Sequence, residues 1–196
     1  PSSTWTVNIS VPNSWLLLLL CLLLLPRAEA CTECAGSPTL GESHLLNLLT
    51  IVTFNVLRGL AKAGYEGGIQ LAKDLAKANV HVALLTETGG IDPARFNKIL
   101  CDEGVPYRVY APKASATAMG GTAIMCTTEI ANHIDDNSFK HTPDRRLSHL
   151  KINFPSEPTL NLACLYGDAK KNPKTNKYIK EFLTEHAHEG LWVIGG

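Results

Sequence analysis

The strongest constraint on this chain is a succession of short runs rich in β-branched, aromatic and other apolar residues. They lie at Ile51–Val56, Val80–Leu85, Tyr107–Tyr110, Thr122–Thr127, His149–Phe154, Leu160–Leu165 and Leu191–Ile194. Their length and their bounding turn residues read as strands. Between the first two, Ile69, Ala72, Leu75 and Ala76 recur at helical spacing, with Lys73, Asp74 and Lys77 off that face. Asp92-Pro93 opens another helix, Asp92 as N-cap and Pro93 at the first helical position, reaching about Leu100. Asn172–Asn176 reads as a turn and Tyr178–Ala187 as a helix. The order is βαβα, then several strands, then αβ, with no internal repeat, and it points to sheets flanked by helices.

Composition agrees with a packed domain. Of the 196 residues 45% are hydrophobic and 18% charged, which excludes a disordered or fibrous chain and suits one domain. Lys plus Arg and Asp plus Glu are both 18, so the excess positive charge of a simple nucleic-acid coating protein is missing, although a local basic groove remains open. The chain begins at Pro1 and its methionines are Met119 and Met125, which reads as a processed product or a translated fragment.

Residues 1–48 differ in texture. Trp15–Leu25 is an unbroken apolar run of eleven residues, short for a membrane span and suited to the core of a signal peptide. Ala28 and Ala30 form an A-x-A pattern before Cys31. Against this, Pro1–Ser14 contains no Lys or Arg. Three readings stand: a signal or anchor, translated flanking sequence, and a buried Leu-rich helix. Asn8-Ile9-Ser10 is a glycosylation sequon that cleavage would remove. The six cysteines leave the compartment open. Cys31 and Cys34 form a lone CxxC without a second pair, and Cys126 and Cys164 sit in apolar runs where free buried thiols are the ordinary case. The expected division is a signal- or anchor-like segment plus linker over 1–48 and one domain over 49–196.

Three polar residues stand at the ends of strand-like runs: Asn55 in IVTFNV, Glu87 after VALLT and Tyr166 after LNLACL. An Asn amide can hydrogen-bond a phosphate oxygen or a metal-bound water. A Glu carboxylate is a hard oxygen ligand suited to Mg²⁺. A tyrosine hydroxyl can orient a phosphoryl oxygen. Singly, each has a plainer reading: a strand-edge Asn, a solvated Glu and a half-buried packing Tyr.

Together the strings resemble the endonuclease/exonuclease/phosphatase superfamily, the DNase I-like fold. TFNVLRG at 53–59 is similar to its first motif, with an Asn after the first core strand. VALLTET at 82–88 resembles the motif whose Glu binds the divalent metal. GGTAIM at 120–125 resembles its Gly-Gly lead-in to a strand, LNLACLYG at 160–167 the strand ending in the active-site Tyr, and LWVIGG at 191–196 the strand before a Gly-Asp-x-Asn motif. The resemblance covers about residues 50–196 and implies an α/β chain, an α+β four-layer sandwich, truncated at its C-terminal side. Thr86-Glu87-Thr88, in place of a Gln-Glu pair, looks more like endonucleases of non-LTR retrotransposons than like secreted DNases.

The resemblance also implies a mechanism. Glu87 would hold Mg²⁺ (or Mn²⁺), Asn55 would position the phosphate or the attacking water, and Tyr166 would support the transition state. Water activation belongs in the family to residues past LWVIGG, so negligible nuclease activity and molten behaviour are expected of this chain alone. Arg145-Arg146 could meet substrate phosphates or form a solvated turn. Lys170, Lys171, Lys174 and Lys177 form a basic loop, by default a solvated face, that could track a nucleic-acid backbone. Asp168 reads as a loop residue. His186 and His188, two apart on a helix, read as surface histidines.

The leading reading is thus a Mg²⁺-dependent phosphodiester hydrolase, a DNA endonuclease of retroelement type, with DNA as partner and a nuclear or cytoplasmic location. The alternatives are a secreted nuclease or a lipid or inositol phosphate phosphatase on the same fold, and a catalytically dead fragment. The Leu run favours the secreted or anchored form. Nothing in the sequence implies a protein partner.

Overall fold

The structure, a computed structural model, describes residues 49–57, 59–60, 62–113, 120–167, 173–186, 188 and 190–196. The Leu-rich run, the sequon and the CxxC pair therefore lie outside the described residues. Among the described residues no helix is long and apolar enough to cross a membrane.

The first sheet has the order β1-β2-β4-β3, with β1 (Ile51–Asn55), β2 (Val82–Thr86), β3 (Tyr107–Tyr110) and β4 (Thr122–Thr127). β1 and β2 run parallel, Ile51 opposite Val82 and Asn55 opposite Thr86, and β4 is antiparallel to β2. The parallel step requires a crossover, supplied by helix α1 (Glu66–Lys77). Helix α2 (Pro93–Asp102) links β2 to β3. Its start is set locally, as the sequence predicts: Asp92 accepts from the Ala94 and Arg95 amides at 3.1 and 3.2 Å, and Pro93 fills the first turn.

The second sheet has the order β5-β6-β7-β8, with β5 (Lys140–His141), β6 (Leu147–Ile152), β7 (Leu160–Leu165) and β8 (Leu191–Gly195). Helix α3 (Thr128–Ala131) follows β4, and helix α4 (Pro173–His186) connects β7 to the parallel β8.

Side chains alternate between two cores because the strand period is two. Ala83, Leu85, Ala123 and Met125 face a core completed by α1 and α2 through Leu71, Leu75, Phe96 and Leu100. Val82, Leu84, Ile124 and Cys126 face the second sheet, meeting Leu150, Ile152, Leu160, Leu162 and Cys164. β2 is buried along its whole length, which is why its sequence reads as a continuous apolar run. On the outer side of the second sheet, Phe182 and His186 of α4 lie against His149 and Trp192. The layers are helix, sheet, sheet, helix, as the resemblance implies. Burial pushes the Cys126 thiol up to about 12 and raises that of Cys164 as well, so both thiols stay protonated. They are free, as expected.

Several sequence expectations are corrected. Of the turn expected at Asn172–Asn176, residues 173–176 are the first turn of α4, which begins at Pro173, a residue type whose fixed φ suits that position, and Asn172 lies outside the described residues. The strand expected at His149–Phe154 starts at Leu147, paired with Leu165. The strand expected at Val80–Leu85 starts at Val82, because the Val80 amide still bonds Leu75 of the preceding helix. His186 is not a surface residue. It is 6% exposed, four residues from Phe182 on the face that α4 presses onto the sheet, whereas His188 is exposed.

His149 has a stability consequence. It is fully buried, and its Nε2–H donates to Asn161 Oδ1 at 3.0 Å. Burial lowers its pKa below the ordinary 6.5, against the opposing effect of the hydrogen bond that it donates to Asn161. In the unfolded chain His149 takes up a proton near 6.5, so its contribution is full above 6.5 and is lost as the pH falls from there through the lower folded value. Urea melts are expected to show stability falling from pH 7.5 to pH 5.5, with a flatter profile for His149→Gln; parallel profiles would contradict this.

Candidate functional site

The sheet ends that carry Asn55, Glu87 and Tyr166 lie on one side of the sandwich. Asn55 closes β1 opposite Thr86, the last residue of β2, and the Val56 amide donates to the Thr86 carbonyl at 3.0 Å. Glu87 is the next residue and has φ of 56°, a left-handed conformation rare outside glycine. Such strain concentrates at functional positions. The conformation is held by the following backbone: the Thr88 amide donates to Gly121 O at 3.3 Å and the Gly89 amide to Gly120 O at 2.9 Å.

The second sheet supplies the partner. The Tyr166 hydroxyl donates to Glu87 Oε1 at 3.0 Å, a bond between residues 79 apart in sequence. Both side chains are half-buried, which fits the packing reading of Tyr166, but the bond between them is more than packing and takes Glu87 out of the simply solvated class. Gly120 makes room for the ring: a Cβ there would lie 3.1 Å from Tyr166 Cε1.

Arg146 also meets that ring. Its guanidinium carbon is 5.0 Å from the Tyr166 ring centroid, its Nη1 donates to Gly167 O at 2.8 Å, and its carbonyl accepts from the Tyr166 amide at 2.7 Å. Arg145, with φ of 59°, has its carbonyl 3.2 Å from the Thr122 hydroxyl, which donates to it. Thr122 Oγ1 and Ser148 Oγ are 2.8 Å apart and fully buried, a polar clasp between the sheets at the same end. Thr122 and Ser148 were not singled out in the sequence. Only GGT before the apolar AIM hinted at them, and their pairing depends on how the sheets stack.

Asn55 is exposed and its Oδ1 accepts from the Leu57 amide at 3.0 Å, an Asx turn that fixes the side chain and leaves the Nδ2 donors available. The structure thus brings Glu87, Tyr166 and Arg146 into contact, sets Asn55 on the adjacent strand end and places Arg145 beside Arg146. Lys170 and Asp168 lie outside the described residues.

The donor set fits a hard divalent cation. A carboxylate offers about four lone-pair directions, of which the Tyr166 hydroxyl takes one. Mg²⁺ is commonly held by one or two carboxylates with waters completing the shell. Among the described residues no group of three or more His, Cys, Asp or Glu is gathered as a ligand cluster.

No family model and no curated protein matches the sequence. Solved structures do match. The AP endonuclease from Leishmania major is 17% identical, covers 74% of this chain and 54% of that one, and superposes with a TM-score of 0.53. The endonuclease domain of TRAS1, a telomere-specific non-LTR retrotransposon, is 17% identical over 74% of this chain and 58% of that one, with a TM-score of 0.48. An endonuclease/exonuclease/phosphatase family protein from Leptotrichia buccalis is 12% identical over 74% and 64%, with a TM-score of 0.49. The chain spans less than two thirds of the length of these structures. The likeness is one of fold: the chain has a DNase I-like fold, as the Leishmania major enzyme does.

Proposed function

We propose that this chain carries the metal- and phosphate-binding side of a divalent-metal-dependent phosphodiester hydrolase acting on nucleic acid. The observation that carries the reading is the Tyr166–Glu87 hydrogen bond, which joins two sheets at a strained carboxylate. Tyr166 orients Glu87 by occupying Oε1, so the remaining lone pairs have a defined direction for a cation. Mg²⁺ or Mn²⁺, when bound, would supply Lewis-acid polarisation of the phosphate and offset charge on the leaving oxygen.

This chain's own residues do the rest. Asn55 Nδ2 donates to a phosphate oxygen or to the attacking water. Arg146, pinned on the Tyr166 ring, sets a fixed positive charge beside the phosphate at no further cost in side-chain ordering. Lys170 and its basic neighbours would follow the nucleic-acid backbone. The finer reading is a DNA endonuclease of retroelement type, and it rests on the Thr86-Glu87-Thr88 string and the first-motif Asn55.

The test is a Mn²⁺ titration of the chain followed by electron paramagnetic resonance, which needs no turnover, together with anisotropy of a labelled DNA duplex. Glu87→Gln is expected to weaken Mn²⁺ binding about tenfold or more, near 1.4 kcal/mol, and to remove the stimulation of DNA binding by the metal. An unchanged Mn²⁺ titration in a folded Glu87→Gln protein would falsify the reading.

A further inference from the structure

His149 is enclosed beneath α4. Phe182 and His186 of that helix close over it: the Phe182 ring meets it edge-on with centroids 5.0 Å apart, and the His186 ring lies within 15° of parallel to it at 5.9 Å. Trp192 of β8 stacks on the same imidazole at 5.2 Å. Asn161 Nδ2 donates to Leu191 O at 3.3 Å, so its Oδ1 faces His149 as an acceptor and His149 Nε2 carries the proton. A second proton can therefore go only to Nδ1, and Nδ1 is shut off from solvent. Charging of His149 and opening of its cover are thus linked.

The surroundings make the charge costly while the cover is closed. Lys140 on β5 is paired directly opposite His149, and Lys151 lies two residues along β6 on the same face. These two and His186 all disfavour a positive charge on the ring, and among the described residues no carboxylate acts on it to offset them. β7 contributes the neutral Asn161, and β8 carries no charged residue. His141, the other residue of β5, pairs opposite Ser148 and so belongs to the other face. Glu181 and Glu185 of α4 are on its exposed side, Glu181 lying 3.7 Å from Lys177. The helix itself is lightly held. Among its described side chains His186 alone is buried, with Ile179, Phe182 and Leu183 half-buried, whereas α1 buries Gly68, Leu71, Ala72 and Leu75. Elements with few buried contacts open locally before the fold as a whole does.

We propose that His149 is an acid-operated latch: taking up a proton at Nδ1 releases Phe182 and His186 and lifts α4 from the second sheet, while the first sheet stays folded. The proton comes from solvent as α4 opens and returns to solvent when it closes. The open state lets the imidazolium reach water, which the closed state denies it. His149 is neutral while α4 is closed and regains its ordinary value near 6.5 once α4 is open, so opening is favoured as the pH falls below 6.5.

Hydrogen–deuterium exchange of the whole chain tests this, read peptide by peptide at pH 7.5 and pH 5.5 and corrected for the intrinsic pH dependence of amide exchange. One proton that binds at 6.5 in the open state and is excluded from the closed one makes opening about tenfold more frequent at the lower pH. Amides of α4 are therefore expected to exchange about tenfold faster at pH 5.5, and those of β2 and β4 to keep their protection. His149→Gln can still donate to Asn161 and cannot take up a proton, so its α4 rates at the two pH values are expected to agree within about twofold. His149→Phe keeps an aromatic ring under α4 and makes the same test if the glutamine variant does not fold. Equal α4 rates at both pH values in the wild-type chain would overturn the proposal, as would an acid response that persists in either folded variant. Faster exchange at pH 5.5 spread evenly over α4, β2 and β4 would mean global unfolding in place of a latch and would overturn it too.

Discussion

Phe96→Ala is expected to destabilise the fold by about 3–5 kcal/mol, the cost of removing a fully enclosed aromatic ring and leaving a cavity. Phe96 has no exposed surface and stacks on Tyr65 with ring centroids 4.8 Å apart and planes 17° from parallel. Its tip is packed against Gly68 of α1 so closely that a Cβ on that glycine would lie 2.5 Å from Phe96 Cζ. The Tyr65 hydroxyl in turn accepts from the Asp92 amide at 3.0 Å, at the start of α2. One ring thus ties α1, α2 and the turn before α1 together, and a helix shift that refilled its volume would strain the bond from the Asp92 amide to the Tyr65 hydroxyl. Domains of this kind are stable by only about 5–15 kcal/mol, so the loss would consume much of the total. Urea denaturation followed by far-UV circular dichroism is the measurement. A midpoint close to wild type would mean that the helical layer repacks freely, contrary to the geometry described.

Gly120→Ala is expected to damage both fold and site. Gly120 has φ of 94°, where an L side chain is strained by about 1–3 kcal/mol. The new Cβ would also press on Tyr166 Cε1 at 3.1 Å, and the ring that carries the hydroxyl bonded to Glu87 would have to give by a few tenths of an ångström. The melting temperature should fall, and Mn²⁺ binding should weaken in the same direction as in Glu87→Gln. A destabilised protein whose Mn²⁺ affinity is untouched would show that Tyr166 does not orient the carboxylate.

The parts of this protein that were legible in its sequence are those governed by near neighbours. Asp92-Pro93 starts a helix because the cap bond spans two or three residues. The apolar strings became strands because alternation assigns their side chains to two cores. The motif strings were readable for a related reason: Asn55 is the last residue of its strand and Glu87 and Tyr166 follow directly on theirs, and a strand end fixes where such a residue lies. The exposed-histidine reading of His186 failed because a spacing of two told only that His186 and His188 point apart. It did not tell which of them faces a sheet.

By itself the sequence determined the order of the seven longer strands and of α1, α2 and α4, the start of α2, the buried character of β2, Cys126 and Cys164, and the strand-end positions of the three site residues, since these follow from local periodicity and capping; it did not show the two-residue strand β5 or the single turn of α3, which are too short to carry a period. Only the tertiary structure decided that Tyr166 bonds Glu87, that Arg146 stacks on Tyr166 and that Thr122 meets Ser148. Those contacts depend on the register within each sheet and on how the two sheets stack, and these are set by the summed packing of both cores rather than by any residue near them in the chain.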